Sequence, residues 1–499
     1  MNGEINVIPL IILIVYMVIV MAIGIWSRSQ MKKGTAREYL TGDGKVGFWV
    51  NGVAIFAAFA TGGTMLGNMG LSYAQGWGYL AAYNAGVTVG YLITTFFLAK
   101  TLRNLNVNTV PELLKVRFPS KLLNLLVPLV VMGTLTAYLV AQMKVGGILG
   151  ERLLGVPYWV SLVVVGVVYI FYTFWGGMKA VTLTDFMQGL IMISVVVVAG
   201  FTAMFAMDGG PGEIYEAAQA LMPAWTSDEV LPIPAYIGGF LVWATVIAIL
   251  PHTVMRVFAA KDERTGRASL TLGLGLYVVT GILTTIFVVA GTIVLNDGGQ
   301  LPDNDAAFLL FLEETLPIWF VGIAYAGIFA AVMSSVSAML LGLAAAFAYD
   351  FVGTIKPDIE EHTQRKIISI SVLVFGVLTL LLAFNPPEFL TLLYTAAMGL
   401  LASCLFWPAV LGIWWRRANS AGALAGVIGG GFTYLFLLWG PIEQWFGYKM
   451  ASLEQILYSL PVSLLCVVIG SLVTKPPTSA EVRRVAIAHE REYEEIDAH

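Results

Sequence analysis

Residues 318–349 read IWFVGIAYAGIFAAVMSSVSAMLLGLAAAFAY, a run without a single charged side chain. At 1.5 Å per residue it is more than long enough to cross a hydrocarbon core of ~30 Å. At its middle stands Ala331-Val332-Met333-Ser334-Ser335. Two adjacent hydroxyls there face neither water nor a polar loop. Unsatisfied polar groups are costly in hydrocarbon, so such a pair marks a site unless both hydroxyls bond back to carbonyls one turn earlier. Hard cations such as sodium take oxygen ligands, which serine hydroxyls and backbone carbonyls supply.

Composition extends that reading to the whole chain. Of 499 residues, 58% are hydrophobic and only 12% charged, and the mean hydropathy is +0.82. A soluble globular chain carries roughly 25% charged residues, so the chain is a polytopic helical membrane protein. The net charge of -4 implies no acidic or basic partner, and no nucleic acid is expected. Cys404 and Cys466 lie in apolar stretches and read as fillers. The histidines, His252, His362, His489 and His499, show no metal-ligand spacing.

Thirteen apolar segments follow one another, at about 7–26, 47–70, 76–99, 122–149, 157–175, 182–206, 233–257, 270–295, 318–349, 367–384, 389–414, 420–440 and 454–474. The first lacks the positive n-region of a signal peptide; only Glu4 precedes it, while Arg28, Lys32, Lys33 and Arg37 follow. Alternate loops hold the cations: Arg28 to Lys45, Lys100 to Lys121, Lys179, Lys261 to Arg267, Lys356 to Lys366, and Arg416 with Arg417. The loop at 207–232 has none, and the loop at 296–316 carries Asp297, Asp303, Asp305, Glu313 and Glu314 instead. The alternation predicts an N-terminus outside and a C-terminus in the cytoplasm, which requires an odd number of spans. The loops near 207–232 and 296–317 are long enough for short surface helices. The tail from Lys475 to His499 reads as a solvated cytoplasmic helix or coil. P-loop, HExxH and GxSxG signatures are absent, so the chain does not read as an enzyme. A channel would need a repeated filter or a ring of acids, and neither is visible.

Several segments are interrupted. Thr61-Gly62-Gly63-Thr64 breaks the second, Pro251-His252 the seventh, Pro386-Pro387 precedes the eleventh and Pro408 lies within it. Unwound backbone at membrane depth is tolerated where it lines a cavity, and broken helices near the midplane are typical of transporters built from inverted repeats. Segments two to six and seven to eleven make two halves of five.

Gly176-Gly177-Met178-Lys179-Ala180-Val181-Thr182-Leu183-Thr184-Asp185-Phe186-Met187-Gln188 resembles the signature of the sodium:solute symporter family. So do Ala331 to Ser335, and Thr109-Val110-Pro111-Glu112-Leu113-Leu114 with Arg117-Phe118. Within that family, three stretches are most similar to its sodium/pantothenate branch: Val156-Pro157-Tyr158 leading to Tyr172-Thr173, Leu250-Pro251-His252-Thr253 with Lys261-Asp262, and Pro386-Pro387-Glu388 leading to Arg416-Arg417-Ala418-Asn419. The run from Pro251 to Arg256 also resembles monocarboxylate permeases of the family.

The resemblance implies a sodium site made of the carbonyls of Ala57, Ala60 and Ala331 with the hydroxyls of Ser334 and Ser335. It implies a second sodium site, found in some members, at Asp185 and Ser337. Ala338 stands where that site would need another hydroxyl, so one sodium per cycle is expected. Otherwise Asp185 is a carboxylate paired with Lys179 or a basic loop. The solute is expected near the break, facing Thr61, Gly62 and Thr64, with Asn84 and Trp243 as walls. Lys144, well inside the fourth segment, is a candidate anchor for a carboxylate, because a lysine at membrane depth needs a partner; at the interface it would snorkel instead.

The expectation is an all-α polytopic membrane protein with a LeuT-type 5+5 inverted repeat and about 13 transmembrane helices. Its membrane domain covers 1–475, with the core repeat at about 47–206 and 233–414, and a cytoplasmic tail covers 476–499. The expected activity is secondary active symport at the inner (plasma) membrane, with Na+ as coupling ion, a small organic anion as solute and a monomer in the lipid bilayer as working unit. Pantothenate is the first solute, and a monocarboxylate such as acetate, propionate or pyruvate the second. A channel or a transporter-like sensor is the reading from another class; the sensor would need a signalling domain or a partner through which to act.

Overall fold

A computed structural model describes residues 7–29, 35–105, 107, 109–205, 210–227, 231–301, 303–385, 390–451 and 453–489. The prolines at 386 and 387, with Glu388, lie outside the described residues, as do Glu4, Lys32, Lys33 and the last ten positions. Among the described residues every element is helical, apart from one isolated bridge between Val46 and Ala260.

Among the described residues ten helices are long and apolar enough to cross a membrane, and two bent pairs, Phe48–Phe59 with Gly63–Gln75 and Ile233–Ile249 with Pro251–Ala259, each form one broken span. One of the ten, Tyr158–Phe205, has 48 residues. Straight, it would reach about 72 Å, more than twice the hydrocarbon thickness. Gly177 breaks it at φ 52, ψ -148, so it is two spans, and thirteen result. In chain order they are span 1 (Val7–Ser29), span 2 (Phe48–Phe59 with Gly63–Gln75), span 3 (Trp77–Leu102), span 4 (Lys121–Glu151), spans 5 and 6 (158–176 and 178–205), span 7 (Ile233–Ile249 with Pro251–Ala259), span 8 (Glu263–Leu295), span 9 (Ile318–Ile355), span 10 (Glu361–Leu382), span 11 (Tyr394–Trp414), span 12 (Ser420–Trp439) and span 13 (Ile456–Val473).

Each half of the core opens on a broken helix, bent by 64° in span 2 and 41° in span 7. The causes differ. In span 2, Ala60 leaves the helical region at ψ 76, and the amide of Thr61 turns back to the carbonyl of Phe59, 2.9 Å. In span 7, Pro251 has no N–H to give and pushes Leu250 out of the helical region, to ψ 120.

Span 9 is the axis. Its apolar window is wholly buried by protein, whereas spans 1, 12 and 13 bury only a third or so of theirs. Spans 12 and 13 approach closely because Gly422, Gly426 and Gly430 repeat every four residues along one face. A side chain at Gly422 would meet the carbonyl of Val467 at 2.6 Å, and Ser463 Oγ donates to the carbonyl of Gly426, 3.1 Å. Small residues in register are how membrane helices pack without a hydrophobic drive.

Short helices at Pro211–Leu221 and Ala307–Thr315 occupy the two long acidic-side loops. The tail departs from expectation. Its helix Ser479–Ala488 is docked, not solvated. Arg484 donates to the carbonyl of Val116, Ser420 Oγ to Glu481, 3.4 Å, and the ring of His489 lies 4.5 Å from that of Trp414. The helix gains backbone partners at the end of Val110–Arg117, where carbonyls lack intrahelical donors.

Gly177 divides the long helix by adopting a positive φ, 52°. A Cβ there would lie 2.7 Å from the carbonyl oxygen of Tyr39, whose hydroxyl donates to the carbonyl of Thr173, 2.9 Å. Gly177→Ala should therefore cost about 1–3 kcal/mol. Gly133→Ala, at a glycine whose added Cβ meets nothing within 4 Å, should be neutral or stabilising. Thermal unfolding of the two variants in detergent checks the contrast.

Candidate functional site

The break in span 2 frees acceptors. In an unbroken helix the amide of Thr61 would bond the carbonyl of Ala57, but it bonds Phe59 instead. The hydroxyl of Ser334, on span 9, takes that place and donates to Ala57, 2.8 Å. Ser335 donates to the carbonyl of Ala58, 3.3 Å. Both serines also bond back to Ala331 of their own helix, at 3.2 and 3.0 Å. Four of the five expected groups, Ala57, Ala331, Ser334 and Ser335, thus meet at one junction, with Ala58 as a neighbour the sequence did not single out. Ala60 caps the first half of span 2, and no hydrogen bond ties its carbonyl to the serines. Both hydroxyls are fully buried. Neutral oxygens gathered between two helices, with rotatable hydroxyl protons, could hold a small hard cation.

Beside this junction the walls close around a cavity of about 20 Å³, room for about one water-sized molecule. It is lined by Thr61, Gly63 and Thr64 of span 2, the rings of Tyr83, Tyr138, Trp243, Tyr277 and Tyr394, and His252 at the break in span 7, among other residues. No Lys, Arg, Asp or Glu lines it. Thr61 and Thr64 cap the second half of span 2: the amide of Thr64 donates to Thr61 Oγ1, 3.1 Å, and Thr64 Oγ1 donates to the carbonyl of Thr61, 2.9 Å. The N-terminal end of Gly63–Gln75, the positive end of its dipole, therefore faces the break.

The expected solute residues divide. Thr61, Thr64 and Trp243 line the cavity. Gly62 does not: a Cβ there would be 2.5 Å from Val332 and 3.1 Å from Val145, so it is the contact that lets the break press against spans 4 and 9. Asn84 stands behind the wall, where it accepts a hydrogen bond from Tyr277, 2.9 Å. Lys144 is half-buried and is not among the lining residues. The face of span 4 turned to the break carries Gln142 and Val145; Lys144 lies about 200° around the helix from Gln142 at ~100° per residue. It is therefore not placed to anchor a carboxylate in this cavity.

Sequence reasoning passed over His252 and four tyrosines. His252 was visible as half of the Pro-His break, and its signal was hidden because a lone histidine carries no metal spacing. The tyrosines come from spans 3, 4, 8 and 11, and only the fold brings them together.

Asp185 is paired, but not with Lys179. Its partner is Arg256, fully buried with it, and Arg256 also donates to Thr182 Oγ1, 3.0 Å. Lys179 sits 5.7 Å from the ring of Trp26. Ser337 donates to the carbonyl of Ser334, 3.0 Å, and no hydrogen bond joins it to Asp185. The arginine belongs to the short second half of span 7, whose backbone at Arg256 also accepts from Asn51 Nδ2, 3.1 Å. Val46 and Ala260 bridge nearby, a further contact at the end of the bundle that carries the basic loops. At the other end Tyr73 donates to the carbonyl of Gly299, 2.5 Å, and Ser72 to that of Thr285, 2.7 Å. Contacts thus tie the bundle together on both sides of the cavity.

A two-halved bundle with two broken helices beside a central cavity is the architecture of a secondary transporter. Residues 39–430 match the model of the sodium:solute symporter family, and the chain belongs to that family. It is a sodium-coupled transporter and not an enzyme. The sodium/pantothenate symporter of Escherichia coli (strain K12) is 30% identical over 92% of this chain and 95% of its own length. The sodium/pantothenate symporter of Haemophilus influenzae is 26% identical over 92% and 95%, and the osmoregulated proline transporter of Bacillus subtilis (strain 168) 28% over 94% and 95%. A solved Na+-coupled sialic acid symporter, in a substrate-bound outward-open state, shares the fold with a TM-score of 0.81 at 21% identity, covering 94% of this chain and 98% of that one.

The ion pair generates a test. Asp185→Leu and Arg256→Met each strand a buried charge, which should cost about 3–5 kcal/mol, whereas the double substitution should recover most of that loss. A double-mutant cycle on thermal unfolding in detergent reads the coupling.

Proposed function

We propose that the protein imports a small organic anion, pantothenate first, together with one sodium ion per cycle, across the inner membrane. The observation that carries the reading is the hydroxyl of Ser334 on the carbonyl of Ala57, which joins the broken span to the axial one. In this reading sodium binds among the carbonyls of Ala57, Ala60 and Ala331 and the hydroxyls of Ser334 and Ser335, and holds spans 2 and 9 together. Pantothenate rests on the two symporters of that name among the relatives; a monocarboxylate is the second solute.

The core repeat is assigned to 47–206 and 233–414, within a membrane domain over 1–475 followed by the tail at 476–499. The basic-loop end is assigned to the cytoplasm by the excess of Lys and Arg there, which puts the N-terminus outside. One sodium with one monovalent anion moves no net charge, so the ~2.3 kcal/mol that 100 mV gives the sodium is offset by the anion and the sodium concentration gradient supplies the inward drive. The working unit is a monomer in the lipid bilayer. One sodium is favoured over two because Arg256 already holds the carboxylate of Asp185, and Ala338 offers no hydroxyl. The solute occupies the cavity at Thr61, Thr64 and Trp243 once its walls part.

Sodium-dependent uptake of labelled pantothenate in proteoliposomes tests the assignment. The Hill coefficient for sodium should be near one. Ser334→Ala and Ser335→Ala should each raise the sodium concentration for half-maximal uptake about tenfold or more, the loss of one oxygen ligand being worth on the order of 1–3 kcal/mol. A coefficient near two that Asp185→Asn reduces to one would place a second sodium at Asp185.

A further inference from the structure

We infer that His252 and Trp243, two neutral hydrogen-bonding side chains on the cavity lining, select acids carrying a hydroxyl or amide over plain short-chain acids, an inference that rests on the acid-symport reading above. Both residues line the central cavity. Both are almost fully buried, at 2% and 5% exposure. Trp243 Nε1 and His252 Nδ1 each lack a hydrogen-bond partner among the described residues. Buried polar atoms in native proteins are nearly always paired, so two orphans on one cavity wall point to a ligand that pairs them.

The chemistry of the two atoms restricts that ligand. The indole N–H is a donor only, and a neutral imidazole presents one donor and one acceptor. A hydroxyl or a secondary amide offers both kinds of group from one point. A carboxylate offers acceptors only, and a hydrocarbon chain offers neither. The carboxylate has a different berth, at the N-terminal end of Gly63–Gln75. The remaining wall, with Phe59 and Tyr83 against His252 and Trp243 at ring distances of 6.1 and 4.8 Å, suits the apolar body of the solute. An acid with a polar group along its chain therefore offers partners both to the helix end and to the two nitrogens. A plain acid meets one end and leaves the two nitrogens desolvated and unpaired, which is how sites built to hydrogen-bond a substrate reject analogues that lack the group. Pantothenate, with its amide and hydroxyls, belongs to the favoured class, and acetate, propionate and hexanoate to the disfavoured one.

Ligand-dependent thermal shifts of the purified full-length protein in sodium buffer test this, with pantothenate, propionate and hexanoate as probes. The wild type should bind pantothenate at least roughly tenfold more tightly than either plain acid. His252→Leu should reduce that preference to within about threefold, whereas His252→Gln, which keeps a donor and an acceptor, should retain most of it. Trp243→Phe, which keeps an aromatic wall without the N–H, should also weaken the preference and serves if His252→Leu does not fold. Preference for pantothenate that survives both His252→Leu and Trp243→Phe overturns the inference and leaves the pantothenate reading standing. Equal binding of pantothenate and plain acids by the wild type overturns the inference and the choice of pantothenate, while acid symport stands. No shift with any acid overturns both.

Discussion

A helix that breaks inside a membrane must find new partners for the backbone groups it releases, because no water is there to take them. In this protein the released group is the carbonyl of Ala57, and its partner is the hydroxyl of Ser334 on the axial span. The architecture follows from that exchange. Span 9, whose apolar window is wholly buried, carries those serines to the break. Gly62 has no side chain because Val332 and Val145 fill the space. Thr61 and Thr64 cap the second half of span 2 because that half-helix starts within the bundle. A cation that binds those oxygens acts on the contact holding the two core helices together, so ion occupancy and bundle geometry are linked.

The second broken span carries the connection toward the basic-loop end. Pro251–Ala259 has nine residues, with His252 on the cavity and Arg256 one turn further on, in the ion pair with Asp185. Residues four apart share a helix face, so motion of this half-helix moves the cavity wall and the pair together. The ion pair and the Val46–Ala260 bridge both tie this half-helix to the rest of the bundle.

Much of the fold was legible because membrane constraints are strict. Apolar length, loop charge and Gly or Pro at the breaks marked thirteen segments, and the Gly177 kink that divides Tyr158–Phe205 lies where segments five and six were separated. The serine pair was only half legible: both hydroxyls bond back to Ala331, the use the sequence left open, and their reach to the carbonyls of Ala57 and Ala58 across the break shows only in the fold. Lys144 misled because depth along a helix shows in sequence while direction around it depends on the neighbours: two residues from Gln142 is the opposite face. The partner of Asp185 was missed because Lys179 is near in sequence, whereas Arg256 is near only in space. The docked tail was missed because alternating charge reads as solvated unless carbonyls such as that of Val116 are known to await donors.

The central claim is that sodium binds where span 2 meets span 9. Thermal unfolding of the purified protein across a sodium titration, at constant ionic strength with potassium as the replacement, tests it most directly. The account predicts that sodium raises the melting temperature in a saturable way, that potassium does not, and that the Ser334→Ala, Ser335→Ala double variant, folded and melting cooperatively, loses the response. An undiminished sodium response in that variant would contradict it.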